Sequence, residues 1–194
     1  MIQNVNRPLF LFFRSILRLL LGSYFVLFKG FKIAGKKKFP GIGPAILIAN
    51  HAAFIDSVYF ICAMRRRFVV CGAKSKYFSS RKKRMLMALA NIIRVESEDQ
   101  YLADCKSLLD KNEILLIYPE MGRNKEEMGE FKDWAAKVAL ANNCPLTPCY
   151  IYGTTEGEEG SKKIIVGDTF NPGGSPESLT GIFRDKIIEL KQSL

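Results

Sequence analysis

Short apolar runs alternate with amphipathic stretches along most of this 194-residue chain. The runs are rich in β-branched and aromatic residues, and they predict strands at 45–49, 68–72, 114–119, 146–153 and 163–168. Apolar positions at helical spacing lie between them and predict helices near 56–66, 81–93, 131–143 and 176–193. This alternation is typical of one α/β domain with a largely parallel or mixed sheet flanked by helices.

The N-terminal segment has a different pattern. Residues 8–28 are long enough to cross a bilayer, but Arg14 and Arg18 interrupt them without an acid to pair with. On a helix, Arg7, Arg14 and Arg18 fall near one face, as expected for a helix that lies in the membrane interface. The lysines that follow add attraction to anionic lipid, and they are Lys29, Lys32, Lys36, Lys37 and Lys38.

These patterns divide the chain into a membrane-binding segment, 1–38, and an α/β domain, 39–194. A signal peptide or a buried core helix is the alternative for the first segment. A signal peptide fits poorly because the apolar stretch is interrupted and no convincing small-residue cleavage site follows. We expect a membrane-associated protein on the cytoplasmic face, with membrane phospholipids as partners.

The chain is strongly basic. It has 29 Lys and Arg residues against 19 Asp and Glu residues, which gives a formal net charge of +10. Such an excess favours anionic partners, namely nucleic acid, anionic lipid headgroups or phosphorylated small molecules. Charge alone does not choose among these partners.

The cysteine and histidine content bears on redox and metal chemistry. Five cysteines lie mostly in apolar runs, and none forms a C-x-x-C pair. This pattern is typical of reduced, buried thiols in a cytosolic compartment. Because the chain has one histidine and no clustered cysteines, a zinc site would need mainly carboxylates, which is uncommon. We therefore expect no metal.

The single histidine, His51, directly follows the predicted strand 45–49, and Asp56 comes soon after it. Open α/β sheets place ligand sites at the carboxyl ends of their strands. If Asp56 begins the next helix, its carboxylate can reach one imidazole nitrogen and leave the other to accept a proton. The alternative is that Asp56 only caps the helix and His51 is an ordinary polar residue. The spacing by itself favours this simpler interpretation.

A second stretch, IYPEMGRNK at 117–125, changes that balance. It places Glu120 and Arg123 after a strand at the same predicted sheet edge, with Gly122 to allow a tight turn. Arg123 can hold a phosphate with its planar guanidinium, and Arg94 ends another apolar run and can add a second cation. Together these residues indicate a general base that faces an anionic substrate.

Four stretches resemble the sequence blocks of the glycerolipid acyltransferases, the family of lysophosphatidate acyltransferases. NHAAFID at 50–56 looks like the family's N-H-x-x-x-x-D motif, and YPEMGRN at 118–124 resembles its F-P-E-G-T-R-S block. NIIRVE at 91–96 and CPLTPCYIYG at 144–153 resemble the second and fourth blocks less specifically. The blocks occur in the family's order.

The resemblance implies an O-acyltransferase. It would move a fatty acyl group from acyl-CoA or an acyl carrier protein to the free hydroxyl of a lysophospholipid, with 1-acyl-sn-glycerol-3-phosphate as the default acceptor. His51 would deprotonate that hydroxyl with Asp56 as its orienter. The residues that would shape the site for the acceptor's phosphate are Arg94, Glu120, Gly122 and Arg123. Glycerol-3-phosphate or another lysolipid would use similar motifs. The resemblance implies no cofactor beyond the thioester, no acyl-enzyme and no nucleic-acid partner.

The third block departs from the family pattern. Met121 stands where the family usually has glycine, Gly122 where it has threonine, and Asn124 where it has serine. The glycine is displaced by one position, which affects the backbone of the loop and the choice of acceptor.

Two other functions are alternatives. One is a hydrolase in which His51 activates a nucleophile such as Ser57 or Cys71. The other is a non-catalytic module that binds anionic lipid or nucleic acid through the basic run Arg81–Arg84, although such a run is more often a solvated helix face.

Overall fold

The computed structural model describes residues 7–194 except 65, 67, 90 and 159. One mixed sheet of seven strands has the order β1-β7-β6-β2-β5-β3-β4. The strands are β1 (Lys32–Ala34), β2 (Ala45–Ala49), β3 (Phe68–Lys74), β4 (Ile92–Val95), β5 (Ile114–Ile117), β6 (Leu146–Tyr152) and β7 (Lys163–Val166). The α-helices are α1 (Arg7–Lys29), α2 (Asp56–Ala63), α3 (Arg81–Leu89), α4 (Glu98–Leu109), α5 (Trp134–Ala141) and α6 (Pro176–Gln192).

The middle of the sheet is parallel. β2 pairs in parallel with β6 on one side and with β5 on the other, and β3 and β4 continue the parallel set. β7 is antiparallel to β6, and β1 is parallel to β7. Because Ile48 of β2 pairs with Ile117 of β5, the loops after these two strands start at the same edge of the sheet.

Helices cover both faces of the sheet, which explains why the central strands β2 and β5 are uniformly apolar. Ile46 and Ile48 of β2 pack in the cluster that includes side chains of α4, α5 and α6. Ala45, Leu47 and Ala49 alternate to the opposite cluster, which includes side chains of α1, α2 and α3. The predicted α/β class with a mixed sheet is confirmed.

The stretch from residue 81 to residue 109 differs from the sequence prediction, and the short strand β1 was not predicted either. The predicted helix 81–93 is a helix only to Leu89, and the apolar residues after Asn91 form β4. Asn91 has φ of 54°, a left-handed conformation that ends the helix and redirects the chain into the strand. Helix α4 was not predicted. Its signals are the cap Ser97, whose side chain accepts from Gln100 N, and acids in the first turn.

Helix α1 packs on α2 and contributes to the core on one side only. The ring of Phe25 is 4.8 Å from that of Tyr59, and Gly22 faces Cys62. Among the described side chains of α1, the apolar ones that are more than half exposed are Phe12, Leu19, Leu20, Val26, Leu27 and Phe28. The side chains of Arg7 and Arg14, which the sequence places on a polar face, lie outside the described residues.

The N-terminal boundary predicted at residue 38 divides the sheet. β1 lies within the predicted segment 1–38, yet it pairs with β7 from Lys32 to Ala34. Within the described part of this segment, α1 and a short 3-10 helix, Lys36–Lys38, lie outside the sheet. Within the described part of the chain, no helix combines the length and the hydropathy needed to cross a membrane.

Candidate active site

The turn after β2 is fixed by a buried asparagine. The Nδ2 atom of Asn50 donates to the carbonyl oxygen of Ile151 at 3.1 Å, and its Oδ1 atom accepts from Ile151 N at 2.7 Å. This pair ties the end of β2 to the neighbouring strand β6 and satisfies polar groups that burial would otherwise penalise. The chain leaves the sheet at the next residue, His51. Asn50 was not identified from the sequence as a residue that builds the site.

His51 and Asp56 meet as the sequence predicted. The Nδ1 atom of His51 lies 2.9 Å from Oδ2 of Asp56, which is fully buried. The same carboxylate oxygen accepts from the backbone N–H groups of Ala52 and Ala53, at 2.9 Å each. Asp56 is the first residue of α2 rather than its cap, so its carboxylate holds the preceding turn and the imidazole together.

This contact defines which imidazole nitrogen is available for chemistry. A carboxylate oxygen only accepts hydrogen bonds, so Nδ1 of His51 carries a hydrogen, and in a neutral imidazole the lone pair is then on Nε2. Among the residues that the structure describes, no group forms a hydrogen bond with Nε2. The His51 side chain is 17% exposed and lines a cavity. This arrangement would allow His51 to act as a general base with Asp56 as the acid that orients it.

Tyr118 is a site residue that the sequence analysis missed. Its ring stacks on the His51 ring with centroids 4.0 Å apart and planes 12° apart. Its hydroxyl is 3.0 Å from the hydroxyl of Ser57, and both residues are buried. Burial, followed by the nearby Asp56 charge, raises the pKa of Tyr118 well above its usual value, so the hydroxyl stays protonated. The available signal was an aromatic residue directly after β5.

Glu120 organises the loop after β5 and does not line the cavity. Its Oε1 atom accepts from His51 N at 2.8 Å, and its Oε2 atom accepts from Gly129 N at 2.9 Å and from the side chain of Asn124. Asn124 N in turn donates to the carbonyl oxygen of His51 at 2.9 Å. The buried carboxylate thus holds the His51 backbone to this loop. The sequence assigned Glu120 to the acceptor's phosphate, whereas these contacts are structural.

Arg123 and Gly122 line the cavity together with Met121. Nη2 of Arg123 donates to the hydroxyl of Tyr77 at 2.5 Å, and its guanidinium carbon is 5.8 Å from the centre of that ring. Met121 has φ of 50°, which is costly for a residue with a side chain. This is the position at which the resemblance expected glycine. The left-handed conformation is therefore at Met121, while the glycine of this loop is the next residue, Gly122.

Arg94 is not brought to the cavity. Its Nε atom donates to the side chain of Ser75 at 3.1 Å, and its guanidinium forms an ion pair with Glu96. The side chain is 49% exposed and does not line the cavity. Lys74, at the end of β3, lines the cavity instead, and the sequence analysis did not identify it.

The cavity combines an apolar wall with a polar rim, and its volume is ≈ 250 Å³. β3, β4 and α3 supply the apolar part, which includes Val70, Cys71, Ala73, Met87 and Ile92. The polar part comes from strand ends and the loops after them, and it includes His51, Lys74, Tyr77 and Arg123. The register between β3 and β4 shifts between Cys71 and Ala73, and both residues line the cavity. Such irregularities are common beside active sites. This lining suits a ligand that has a chain of methylene groups and an anionic group.

The nucleophiles that a hydrolase would need are not activated. The Ser57 hydroxyl contacts the hydroxyl of Tyr118, which stays protonated, and not His51. Burial raises the pKa of the Cys71 thiol well above its usual value, which opposes formation of the reactive thiolate. The geometry therefore favours His51 acting on a substrate hydroxyl directly. Among the described residues, no three histidine, cysteine or acidic side chains cluster in a way that would hold a metal ion.

The model of the acyltransferase family matches residues 30–152, well over half of the chain. The chain belongs to the acyltransferase family. This result confirms the family that the motifs predicted. The match begins just before β1 and ends with β6, so it includes His51, Asp56 and every residue that lines the cavity. β7 and α6 of this acyltransferase lie beyond it.

The fold of this acyltransferase is similar to a solved structure, the crystal structure of the 1-acyl-sn-glycerophosphate acyltransferase PlsC from Thermotoga maritima. The TM-score is 0.78, and the aligned region covers 98% of this chain and 83% of that chain. The two sequences are 16% identical, so the likeness concerns the fold.

Proposed function

We propose that this acyltransferase moves a fatty acyl group from an acyl thioester to the free hydroxyl of a lysophospholipid. The expected acceptor is 1-acyl-sn-glycerol-3-phosphate, and the product would then be phosphatidic acid. The observation that carries the proposal is the buried Asp56 carboxylate 2.9 Å from Nδ1 of His51, at a cavity with an apolar wall and two cations. The apolar wall suits the acyl chains of a lysophospholipid and an acyl thioester, and the cations suit a phosphate.

His51 acts as the general base in this proposal. Its Nε2 atom takes the proton of the acceptor hydroxyl while that oxygen attacks the thioester carbonyl carbon. The carbonyl electrons move to oxygen and give a tetrahedral oxyanion. When this intermediate collapses, the C–S bond breaks and the sulfur leaves as a thiolate, which receives the proton from Nε2. His51 ends neutral, and the negative charge of Asp56 stabilises the imidazolium in between.

The cavity lining suggests how the substrates are placed. The acyl chain fits the wall formed by Val70, Met87 and Ile92, and the acceptor's phosphate fits Arg123 with Lys74 beside it. Arg123 is already held by Tyr77, so it loses little side-chain freedom when a phosphate binds. Glu120 supports this placement indirectly because it holds the loop that carries Arg123.

Membrane association is part of the proposal because both the acceptor and the product are lipids. The exposed apolar side chains of α1 suit the headgroup region of a bilayer, with Lys36, Lys37 and Lys38 as neighbouring exposed cations. We propose that α1 holds the enzyme on the cytoplasmic face of a membrane. The acceptor would then reach His51 without leaving the lipid surface.

A substrate panel tests the proposed function. The full chain is incubated with acyl-CoA or acyl-loaded carrier protein and with lysophosphatidate, glycerol-3-phosphate and other lysolipids. We expect esterification of lysophosphatidate, and no esterification by His51→Ala. Transfer only to glycerol-3-phosphate or to another lysolipid would change the acceptor and keep the reaction. An acyl-enzyme detected by intact mass would contradict the direct mechanism.

A non-catalytic lipid-binding module is the competing function, and the exposed cations Arg81, Lys82, Lys83 and Arg84 of α3 favour it. It predicts binding to anionic vesicles and no turnover with any donor and acceptor in the panel. His51→Ala would then leave vesicle binding unchanged, whereas in the acyltransferase it abolishes acyl transfer.

A further inference from the structure

The hydrogen bond to Asp56 does not by itself fix the orientation of the His51 ring. One bond at Nδ1 holds one atom of the imidazole, and the ring can still tilt about that contact. A tilt moves Nε2, on the other side of the ring, away from the hydroxyl it must deprotonate. A general base needs both the distance and the direction of its lone pair, so a second restraint on the ring plane has chemical value.

The Tyr118 ring is placed to supply that restraint. It lies 4.0 Å from the His51 ring and is inclined to it by only 12°, so the two rings are in face-to-face contact over their planes. Tyr118 is 5% exposed, and its backbone directly follows the buried strand β5. The tyrosine therefore presents a fixed plane against which the imidazole lies.

Tyr118 is itself anchored to the element that carries Asp56. Its hydroxyl is 3.0 Å from Oγ of Ser57, the next residue of α2. One residue of α2 thus holds Nδ1 of the imidazole, and the next holds the ring that lies on it. The loop after Tyr118 also contacts the His51 backbone, through Glu120 Oε1 at 2.8 Å and Asn124 N at 2.9 Å. The backbone and the ring plane of His51 are both set by the segment that follows β5.

We propose that Tyr118 is a positioning residue that sets the plane of the His51 imidazole and so aims Nε2 into the cavity. It acts through the flat face of its ring, and its hydroxyl serves to keep that ring in place through Ser57. The inference rests on the proposed acyl transfer for its kinetic consequence, because it assumes that Nε2 takes the proton of the acceptor hydroxyl.

The decisive comparison is between Tyr118→Leu, which removes the ring, and Tyr118→Phe, which keeps it. We expect kcat of the leucine variant to fall about 10- to 100-fold, since small misplacements of a catalytic group cost about this much. The KM values for donor and acceptor should stay near those of the wild type, because Tyr118 holds the base and not the substrates. Tyr118→Phe should keep most of its kcat. If the leucine variant does not fold, Tyr118→Met removes the ring with a side chain that adapts to the space.

A matched control separates positioning from loss of core packing. Phe183 is fully buried on the opposite face of the sheet and packs on Phe131 with ring centroids 5.8 Å apart. Phe183→Leu removes a buried ring in the same way but does not touch His51. Its kcat per folded molecule should match the wild type. An equal fall in Phe183→Leu and Tyr118→Leu would mean that packing alone explains the effect, and it would overturn the proposal.

Ring order can be measured without any substrate, because His51 is the single histidine of the chain. Relaxation of the imidazole Cε1–H group in the histidine-labelled full chain reports the order parameter of that ring. We expect a lower order parameter in Tyr118→Leu and a wild-type value in Tyr118→Phe and Phe183→Leu. An imidazole that stays equally ordered in Tyr118→Leu, or a kcat that stays within about threefold of the wild type, overturns the proposal.

The two readouts also distinguish failure of this inference from failure of the proposed function. If the wild type transfers no acyl group, the proposed function is wrong, and if His51→Ala is fully active, the general-base role of His51 is wrong. In both cases the order parameter still tests the restraint. If the wild type is active through His51 but Tyr118→Leu leaves the imidazole ordered, only the positioning role is wrong.

Discussion

Replacing Asp56 by asparagine removes one negative charge from the buried pair with minimal change in shape. Asparagine has two orientations at this position. If its nitrogen replaces Oδ2, the amide hydrogens point at three other hydrogen-bond donors, the N–H groups of His51 Nδ1 and of the Ala52 and Ala53 backbone. No hydrogen bond can then form, so this orientation is excluded. If its oxygen replaces Oδ2, all three bonds are kept. The NH₂ group then replaces Oδ1, which has no hydrogen-bond partner among the described residues, and it becomes a buried donor without an acceptor.

The magnitudes of both effects follow from this geometry. An unsatisfied buried donor costs about 1–3 kcal/mol of folding free energy. The lost attraction between the carboxylate and the imidazolium is about 4 kcal/mol for charges ~4 Å apart at an effective dielectric constant of ~20. That energy corresponds to about three decades in rate. We therefore expect Asp56→Asn to keep the fold, with a moderate fall in melting temperature, and to lose about 10³-fold in kcat.

The assay is a double-mutant cycle with His51→Ala, measured by kcat for acyl transfer and by thermal unfolding. Because Asp56 acts through His51, the double variant should be no slower than His51→Ala alone. Asp168→Asn, at a surface ion pair with Lys38, is the control and should leave kcat unchanged. The reasoning is refuted if Asp56→Asn keeps more than about a tenth of the wild-type kcat, or if the two substitutions multiply.

Further predictions concern the cavity loop and helix α1. Arg123→Ala should lose about 10- to 100-fold in kcat/KM for a phosphorylated acceptor, with Arg123→Lys only partly active and the donor KM nearly unchanged; a selective rise in donor KM would place this loop on the thioester side. Met121→Gly should relieve about 1–2 kcal/mol of left-handed strain and so melt no lower than the wild type by calorimetry, although it leaves space in the cavity. A clear destabilisation would mean that the methionine packing outweighs the strain. Leu20→Asp with Leu27→Asp should release the enzyme from anionic vesicles, while the control Ile42→Asp, at a site 92% exposed outside α1, should not. Sedimentation of the double variant with vesicles at the wild-type level would show that the anchor lies elsewhere.

The parts of the site that could be predicted from the sequence are those formed by residues that lie close together along the chain. The apolar run 45–49 had to be a buried strand, and parallel packing brings the ends of such strands to one edge. His51 and Asp56 lie within one turn of that edge, so a contact between them needed no knowledge of distant residues. The same reasoning placed Arg123 near them, and the structure brings it to the same cavity.

The roles of Arg94 and Glu120 depend on hydrogen-bond partners that the neighbouring sequence does not specify. Arg94 donates to Ser75, which directly follows β3, and it forms an ion pair with Glu96. Glu120 accepts from Gly129 N, and the loop that joins these two residues has no periodic pattern of apolar positions from which its path could be predicted. A charged residue at the correct sheet edge is therefore a candidate for substrate binding only until its other hydrogen-bond partners are known.

Met121 has a left-handed backbone conformation at the position where the resemblance expected glycine. Glycine is favoured where φ is positive because it has no Cβ, yet a methionine has φ of 50° here. Several contacts impose the turn. Met121 N donates to the Tyr118 carbonyl at 3.0 Å, and the residues before and after this turn, Glu120 and Asn124, both bond to the His51 backbone. Strain of this kind persists only where surrounding contacts impose it. It follows that a methionine side chain, which a glycine would not supply, forms part of the cavity lining together with His51.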